Sequence, residues 1–202
     1  KERDENGEFI NLQDFCSRTA EIGVSKVSVE YLIKSGAFDG LGANRRQMIS
    51  NYEFLMDSAS DFSKSNLDGQ MGLFSEENSP TAVDVEFKPE EEYRYADLLC
   101  FEKFATGMYI SGHPADPYKT ALKLMHIPDA LHVQSNLKEG AYTKNQVISF
   151  LGAMDDITVK YTSTGKKMGF LTLQDTSGSV ECTLFPETYA KYEKKLVYGN
   201  VL

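Results

Sequence analysis

The stretch Tyr31-Leu-Ile-Lys-Ser-Gly-Ala-Phe-Asp-Gly-Leu-Gly-Ala-Asn-Arg-Arg46 sets Gly36, Gly40 and Gly42 within seven residues and follows them with two arginines. Glycine lets a backbone turn sharply and approach a phosphate closely. The N-terminus of the helix that follows offers free N–H groups and positive potential to an anion. Asn44 is placed to cap that helix, Arg45 and Arg46 add charge, and Lys34 sits nearby. Together they form a candidate grip on a duplex backbone, one that positions without reading sequence. The same spacing also describes an ordinary corner between two helices, and spacing alone leaves both readings open.

Two further constellations carry a binding chemistry. Gln70-Met71-Gly72-Leu73-Phe74 is a short apolar island in a polar, acidic surround. Leu73 and Phe74 suit a hydrophobic pocket on a partner, with Gln70 as the hydrogen-bonding anchor. The alternative is a pair that folds back on its own domain. Nearer the C-terminus, Phe170 and Phe185 are candidates to stack bases of a single strand, and Lys160, Lys166 and Lys167 to follow its phosphates. The alternative there is that both phenylalanines pack internally. Ser111-Gly-His-Pro114 invites a catalytic reading, but a lone histidine at a helix end is more often structural. Asp155 and Asp156 are adjacent, so their side chains diverge, and no carboxylate pair suggests a two-metal site. Cys16, Cys100 and Cys182 lack metal-ligand spacing and read as reduced thiols of a cytoplasmic protein.

The elements that must position these groups follow from periodicity. Leu12, Phe15 and Cys16 behind Asn11 predict one helix, and Val29, Leu32 and Ile33 a second. Met48, Ile49, Tyr52, Leu55 and Met56 predict a third behind Asn44. Residues 61–88 lack periodicity and read as a mobile acidic linker. Pro89 with Glu90-Glu91-Glu92 predicts a helix start. Leu98, Phe101, Ala105 and Met108 continue it until Gly112 and Pro114. Asp116-Pro117 opens a short helix with Leu122 and Met125 inward.

From Lys144 the period becomes two: strands are expected over 146–154 and 167–174, with the lysines in the loop between them. A turn at Asp175–Gly178 and a third strand with Val180, Cys182 and Leu184 inward follow. Pro186 ends that strand, a helix over 187–196 comes next, and Asn200-Val201-Leu202 opens a fourth strand. This is the order of an OB barrel, here expected to be incomplete. The class is α+β: a helical region over 1–60, the linker over 61–88, a helical spacer over 89–143 and the barrel over 144–202.

The net charge of −9 is uneven. Residues 61–100 hold 3 basic and 10 acidic side chains, whereas residues 101–202 hold 11 and 10. Acidity is thus concentrated in the middle, and basic clusters elsewhere remain able to meet phosphate. No apolar run approaches the length of a membrane span. The charged start, without Met, reads as a piece of a longer protein.

Asp14-Phe15-Cys16, Leu32-Ile-Lys-Ser-Gly-Ala-Phe-Asp39 and Asn44-Arg45 resemble the helix-hairpin-helix segment of the alpha subunit of bacterial DNA polymerase III. Phe101-Glu-Lys, Gly107-Met-Tyr-Ile-Ser-Gly-His-Pro114, Lys166-Lys-Met-Gly-Phe-Leu-Thr-Leu-Gln-Asp175, Gly178 and Phe185-Pro186 resemble that family's later segments in order. The resemblance implies duplex DNA at the hairpin and single-stranded template on the OB domain. It also implies that Gln70, Leu73 and Phe74 bind the beta sliding clamp, alongside other replicative subunits as partners. The parent is a nucleotidyltransferase whose metal ions, Mg2+ by expectation, sit on aspartates with no match here. No catalytic residue, metal or cofactor is therefore assigned to this chain. The rival readings are an OB domain of another protein, such as an anticodon-binding domain of a tRNA synthetase, and a protein-interaction scaffold without DNA binding.

Overall fold

A computed structural model of the chain describes residues 1–20, 22–67 and 85–202. They form two compact units, Lys1–Met108 and Tyr109–Leu202.

The first unit is helical. It contains α1 (Glu2–Asn6), α2 (Leu12–Thr19), α3 (Lys26–Ser35), α4 (Arg45–Leu67) and α5 (Tyr95–Thr106). Caps set the starts, Asn11 and Asn44 as expected and Ser25 in addition. The Asn11 side chain accepts from the Asp14 N–H at 2.8 Å, and Ser25 accepts from the Ser28 N–H at 3.1 Å. Asn44 and Gln47 cap α4 reciprocally, each side-chain oxygen accepting from the other's N–H, at 2.9 and 3.0 Å. Leu12, Phe15, Cys16 and Thr19 of α2 are buried at helical spacing. They meet Val29, Ile33, Phe38, Met48, Tyr52, Leu55 and Met56 in one core. Phe15 packs edge-on against both Phe9 and Phe38 at 4.9 Å. Burial pushes the Cys16 thiol up to about 11, so it stays protonated and unreactive.

Three expectations change here. Residues 61–67 complete α4 rather than open a linker. Val85 and Phe87 pack on the core, and the Val85 N–H donates to Gln13 Oε1 at 3.1 Å. The acidic run Glu90–Glu92 does not start a helix: α5 begins at Tyr95 and ends at Gly107, whose φ of 81° makes a left-handed cap ahead of Gly112.

The second unit holds α6 (Lys119–Leu124), α7 (Ala130–Lys138), β1 (Ala153–Tyr161), β2 (Lys167–Gln174), β3 (Ser179–Leu184) and α8 (Pro186–Tyr192). The strands make an antiparallel sheet in the order β1-β2-β3, the three-stranded sheet of an OB fold. Val201 bridges Ala153 antiparallel on the free side of β1. Met154, Leu171 and Leu173 are buried, with Ile157, Cys182, Leu184 and Leu196 packed around them. Gly169 leaves room for the Tyr189 ring of α8, which a Cβ would meet at 3.0 Å.

The first strand starts later than its alternation suggests. The expected run over 146–154 meets Gly152, where a Cβ would lie 2.9 Å from the Gln174 carbonyl oxygen. Pairing with β2 begins only at Ala153, and one residue is bulged between Met154 and Asp156. The polar stretch behind it is drawn into the sheet by that pairing, so Lys160 stands in β1 opposite Met168 rather than in a loop. Met125 is exposed because α6 stops at Leu124. α7 is seated on the β2–β3 turn: the Ala130 N–H donates to Asp175 Oδ2 at 2.8 Å and the Leu131 N–H to Ser177 Oγ at 3.0 Å. No described helix is long and apolar enough to cross a membrane.

Candidate nucleic-acid interfaces

In the first unit the hairpin joins α3 to α4. Gly36 closes α3 with φ 83°, and its N–H donates to the Ile33 carbonyl at 3.0 Å. Its missing side chain matters twice, because a Cβ there would run into the Arg45 guanidinium and lie 2.9 Å from Asp39 Oδ2. Arg45 accordingly does not face solvent; it is 5% exposed. Its Nε and Nη2 donate to the two carboxylate oxygens of Asp39 at 2.9 and 2.6 Å. Nη2 also donates to Glu102 Oε1 at 3.0 Å, and Nη1 to the Lys34 carbonyl at 3.2 Å. Glu102, on α5, is fully buried. The hydrogen bonds Arg45 donates to Asp39, with the one to Glu102 behind them, raise its pKa above its ordinary value. Arg45 thus ties the hairpin to α5 from inside.

The N-terminus of α4, expected to be open to an anion, holds one from the chain itself. Glu92 accepts from the Arg45 N–H at 2.8 Å and from the Arg46 N–H at 3.1 Å. Acidic groups do favour a helix N-terminus, but the helix served is α4 and not the one that follows Glu92 in sequence. The strap that carries it, residues 88–92, is held by more bonds: Asn44 Nδ2 donates to the Glu90 carbonyl at 2.7 Å and Gln47 Nε2 to the Lys88 carbonyl at 2.8 Å. The Arg46 guanidinium lies over the Tyr93 ring at 5.1 Å. Lys34 is ion-paired with Glu30 and lies 5.1 Å over Phe104. Of the seven hairpin residues singled out from sequence, Gly40, Gly42 and Arg46 are the exposed ones.

Asp39, Glu92 and Glu102 were not singled out from sequence. Glu102 was within reach, since it stands three residues after the buried Leu99 on one helix stripe. A charge at a core position calls for a partner.

In the second unit, Phe170 sits on the sheet face away from the core, between Thr158 of β1 and Thr183 of β3. It is 39% exposed, and the Lys160 ammonium lies 5.1 Å over its ring. These two expected residues are brought together. Phe185 directly follows β3 and is 67% exposed. Lys167 is paired with Glu193 at 3.1 Å, which raises its pKa. It stands on the same face of β2 as Leu171 and Leu173, opposite to Phe170. Lys166 stands in the turn between β1 and β2 and is exposed. Gln70, Leu73 and Phe74 lie outside the described residues.

His113 is buried and locally bonded: its Nδ1 accepts from the Ala115 N–H at 3.1 Å, and its backbone N–H donates to Asp116 Oδ2 at 2.7 Å. Among the described residues, no group of three or more His, Cys, Asp or Glu side chains is placed to hold a metal ion.

Residues 1–48 match the helix-hairpin-helix motif family, and residues 150–202 match a family described as an OB-fold nucleic acid binding domain. The chain is 33% identical to DNA polymerase III subunit alpha of Borreliella burgdorferi over 100% of its own length and 17% of that protein's. The corresponding subunit of Bacillus subtilis is 32% identical over 96% of this chain and 16% of the relative. That of Deinococcus radiodurans is 34% identical over 98% of this chain and 15% of the relative. The chain therefore spans about one sixth of the length of these relatives. With both motif families matched within one stretch of that subunit, this chain belongs to the DNA polymerase III alpha subunit family, as its helix-hairpin-helix and OB-fold region.

Proposed function

We propose that this region holds DNA for the polymerase in the cytoplasm: primer–template duplex at the α3–α4 hairpin and single-stranded template across the outer face of β1-β2-β3. Gln70, Leu73 and Phe74 tie it to the beta sliding clamp, so that the enzyme stays on its template, and other replicative subunits complete the assembly. Nucleotide addition, with its Mg2+ ions, belongs to the rest of the parent subunit.

The observation that carries the single-strand reading is Phe170 with Lys160 above it, on an open sheet face in an OB domain. An aromatic ring offers every base a stacking surface, and a neighbouring ammonium offers the phosphate a charge. Phe170→Ala is expected to weaken binding of a single-stranded oligonucleotide by about 1–3 kcal/mol while the domain stays folded. A folded variant with unchanged affinity would make Phe170 a packing residue and overturn this placement.

Duplex contact falls to the exposed side of the hairpin. Glycine N–H groups at Gly40 and Gly42 can approach a backbone closely, and Arg46 is the exposed cation beside them. Arg46→Ala is expected to weaken duplex binding equally for all sequences and to lower the salt slope by about one. An unaltered slope in a titration against salt would put the phosphate contacts elsewhere.

A further inference from the structure

We propose that the outer sheet face also selects the base it holds, favouring bases that present an amino group over thymine and uracil, through Asp156 and Glu181. The inference rests on the single-strand reading above and deepens it.

The register arranges this face in rows. Lys160 stands beside Met168 in the first row, Thr158, Phe170 and Thr183 form the next, and Asp156, Thr172 and Glu181 the one after. Successive rows on one face are roughly 7 Å apart. The face is therefore polarised, with a cation at one end, an aromatic in the middle and two carboxylates at the other. Asp156 and Glu181 flank Thr172 from both sides, are exposed, and are engaged by no hydrogen bond or ion pair among the described residues.

A strand laid across this face meets opposite fields at its two edges. Its phosphates are drawn to Lys160 and Lys166 and repelled by the carboxylate row. A base stacked on Phe170 with its sugar and phosphate on the lysine side turns its hydrogen-bonding edge toward Asp156 and Glu181. An ionised carboxylate only accepts hydrogen bonds. Cytosine brings an amino donor at position 4, where thymine and uracil bring a carbonyl acceptor. The first is bound, and the second meets oxygen against oxygen. Single-strand binders without such a row take pyrimidine runs by stacking and flexibility, which does not separate cytosine from uracil.

The test uses the whole 202-residue chain and labelled oligo(dC) and oligo(dU) of equal length at neutral pH, followed by fluorescence anisotropy. Cytosine and uracil differ at position 4 and in the adjoining ring proton, with no methyl group to confuse the comparison. The expected result is tighter binding of oligo(dC) by about fivefold or more. In the Asp156→Asn, Glu181→Gln double variant the two affinities should fall within about twofold, because an amide can turn either its donor or its acceptor to the base. Equal binding of both oligonucleotides by the unaltered chain, lost on Phe170→Ala, would overturn the selection and leave the single-strand reading standing. Binding of neither oligonucleotide would overturn both. A preference for oligo(dC) that survives in the double variant would remove Asp156 and Glu181 from the role.

Discussion

Arg45→Ala lowers the stability of the first unit by about 3–5 kcal/mol, the range for removing one partner of a buried ion pair. The side chain holds Asp39 by two hydrogen bonds and Glu102 by a third. Asp39 can turn to water when the guanidinium is gone, but Glu102 is fully buried on α5 and is left with an uncompensated charge. The hairpin loses its anchor in the same step, because Arg45 also donates to the Lys34 carbonyl. Arg45→Lys should not restore the loss: one ammonium cannot reproduce a planar fork reaching two carboxylates and a carbonyl. Urea unfolding of the variants measures the effect, and Arg46→Ala serves as the surface control, expected within about 0.5 kcal/mol of the unaltered chain. A cost for Arg45→Ala below about 1 kcal/mol would contradict the account of Arg45 as an internal tie.

Leu73→Ala combined with Phe74→Ala is expected to abolish the proposed clamp binding, with a loss of at least about hundredfold, since large apolar anchors in short motifs each carry roughly 2 kcal/mol or more. The expectation follows from the proposed role of Gln70, Leu73 and Phe74 and is read most directly with a peptide spanning Asn66–Glu77. Surface plasmon resonance against a bacterial beta clamp should register the native peptide and lose the doubly substituted one. In the whole chain, the same double substitution should leave the circular dichroism spectrum and the melting temperature unchanged. Equal affinity of both peptides would sink the motif.

α2 and α4 were legible because each pairs a local capping signal, Asn11 or Asn44, with an apolar stripe. α3 was legible from its stripe alone, and β2 was equally plain from its alternation and its turn. What was not legible depends on distant partners. Nothing local says that Glu92 will cap a helix whose first residue lies 47 positions earlier, and the acidic run looks like the start of its own helix until that bond is seen. Arg45 reads as a surface cation because arginine usually is one; its burial depends on Asp39 and Glu102 arriving together. Lys160 looks like loop because its neighbours are polar, yet pairing with β2 makes it strand. At the site, residue types were the readable part: Phe170 and Lys160 meet. Pairing was the unreadable part: Lys167 is held by Glu193, 26 residues further along the chain.

The return of the chain at Val85 and Glu92 has a mechanical consequence. α4 ends at Leu67, and Val85 and Glu92 are again bonded to the first unit, the latter at the head of the same helix. Both moorings therefore belong to one body. Leu73 follows Leu67 by six residues, and a chain covers at most about 3.3–3.6 Å per residue. Any protein that takes hold of Leu73 is therefore leashed within roughly 20 Å of the end of α4. The cost of closing such a loop grows only with the logarithm of its length. Changing the number of residues between the two moorings is therefore expected to have little effect on the stability of the first unit.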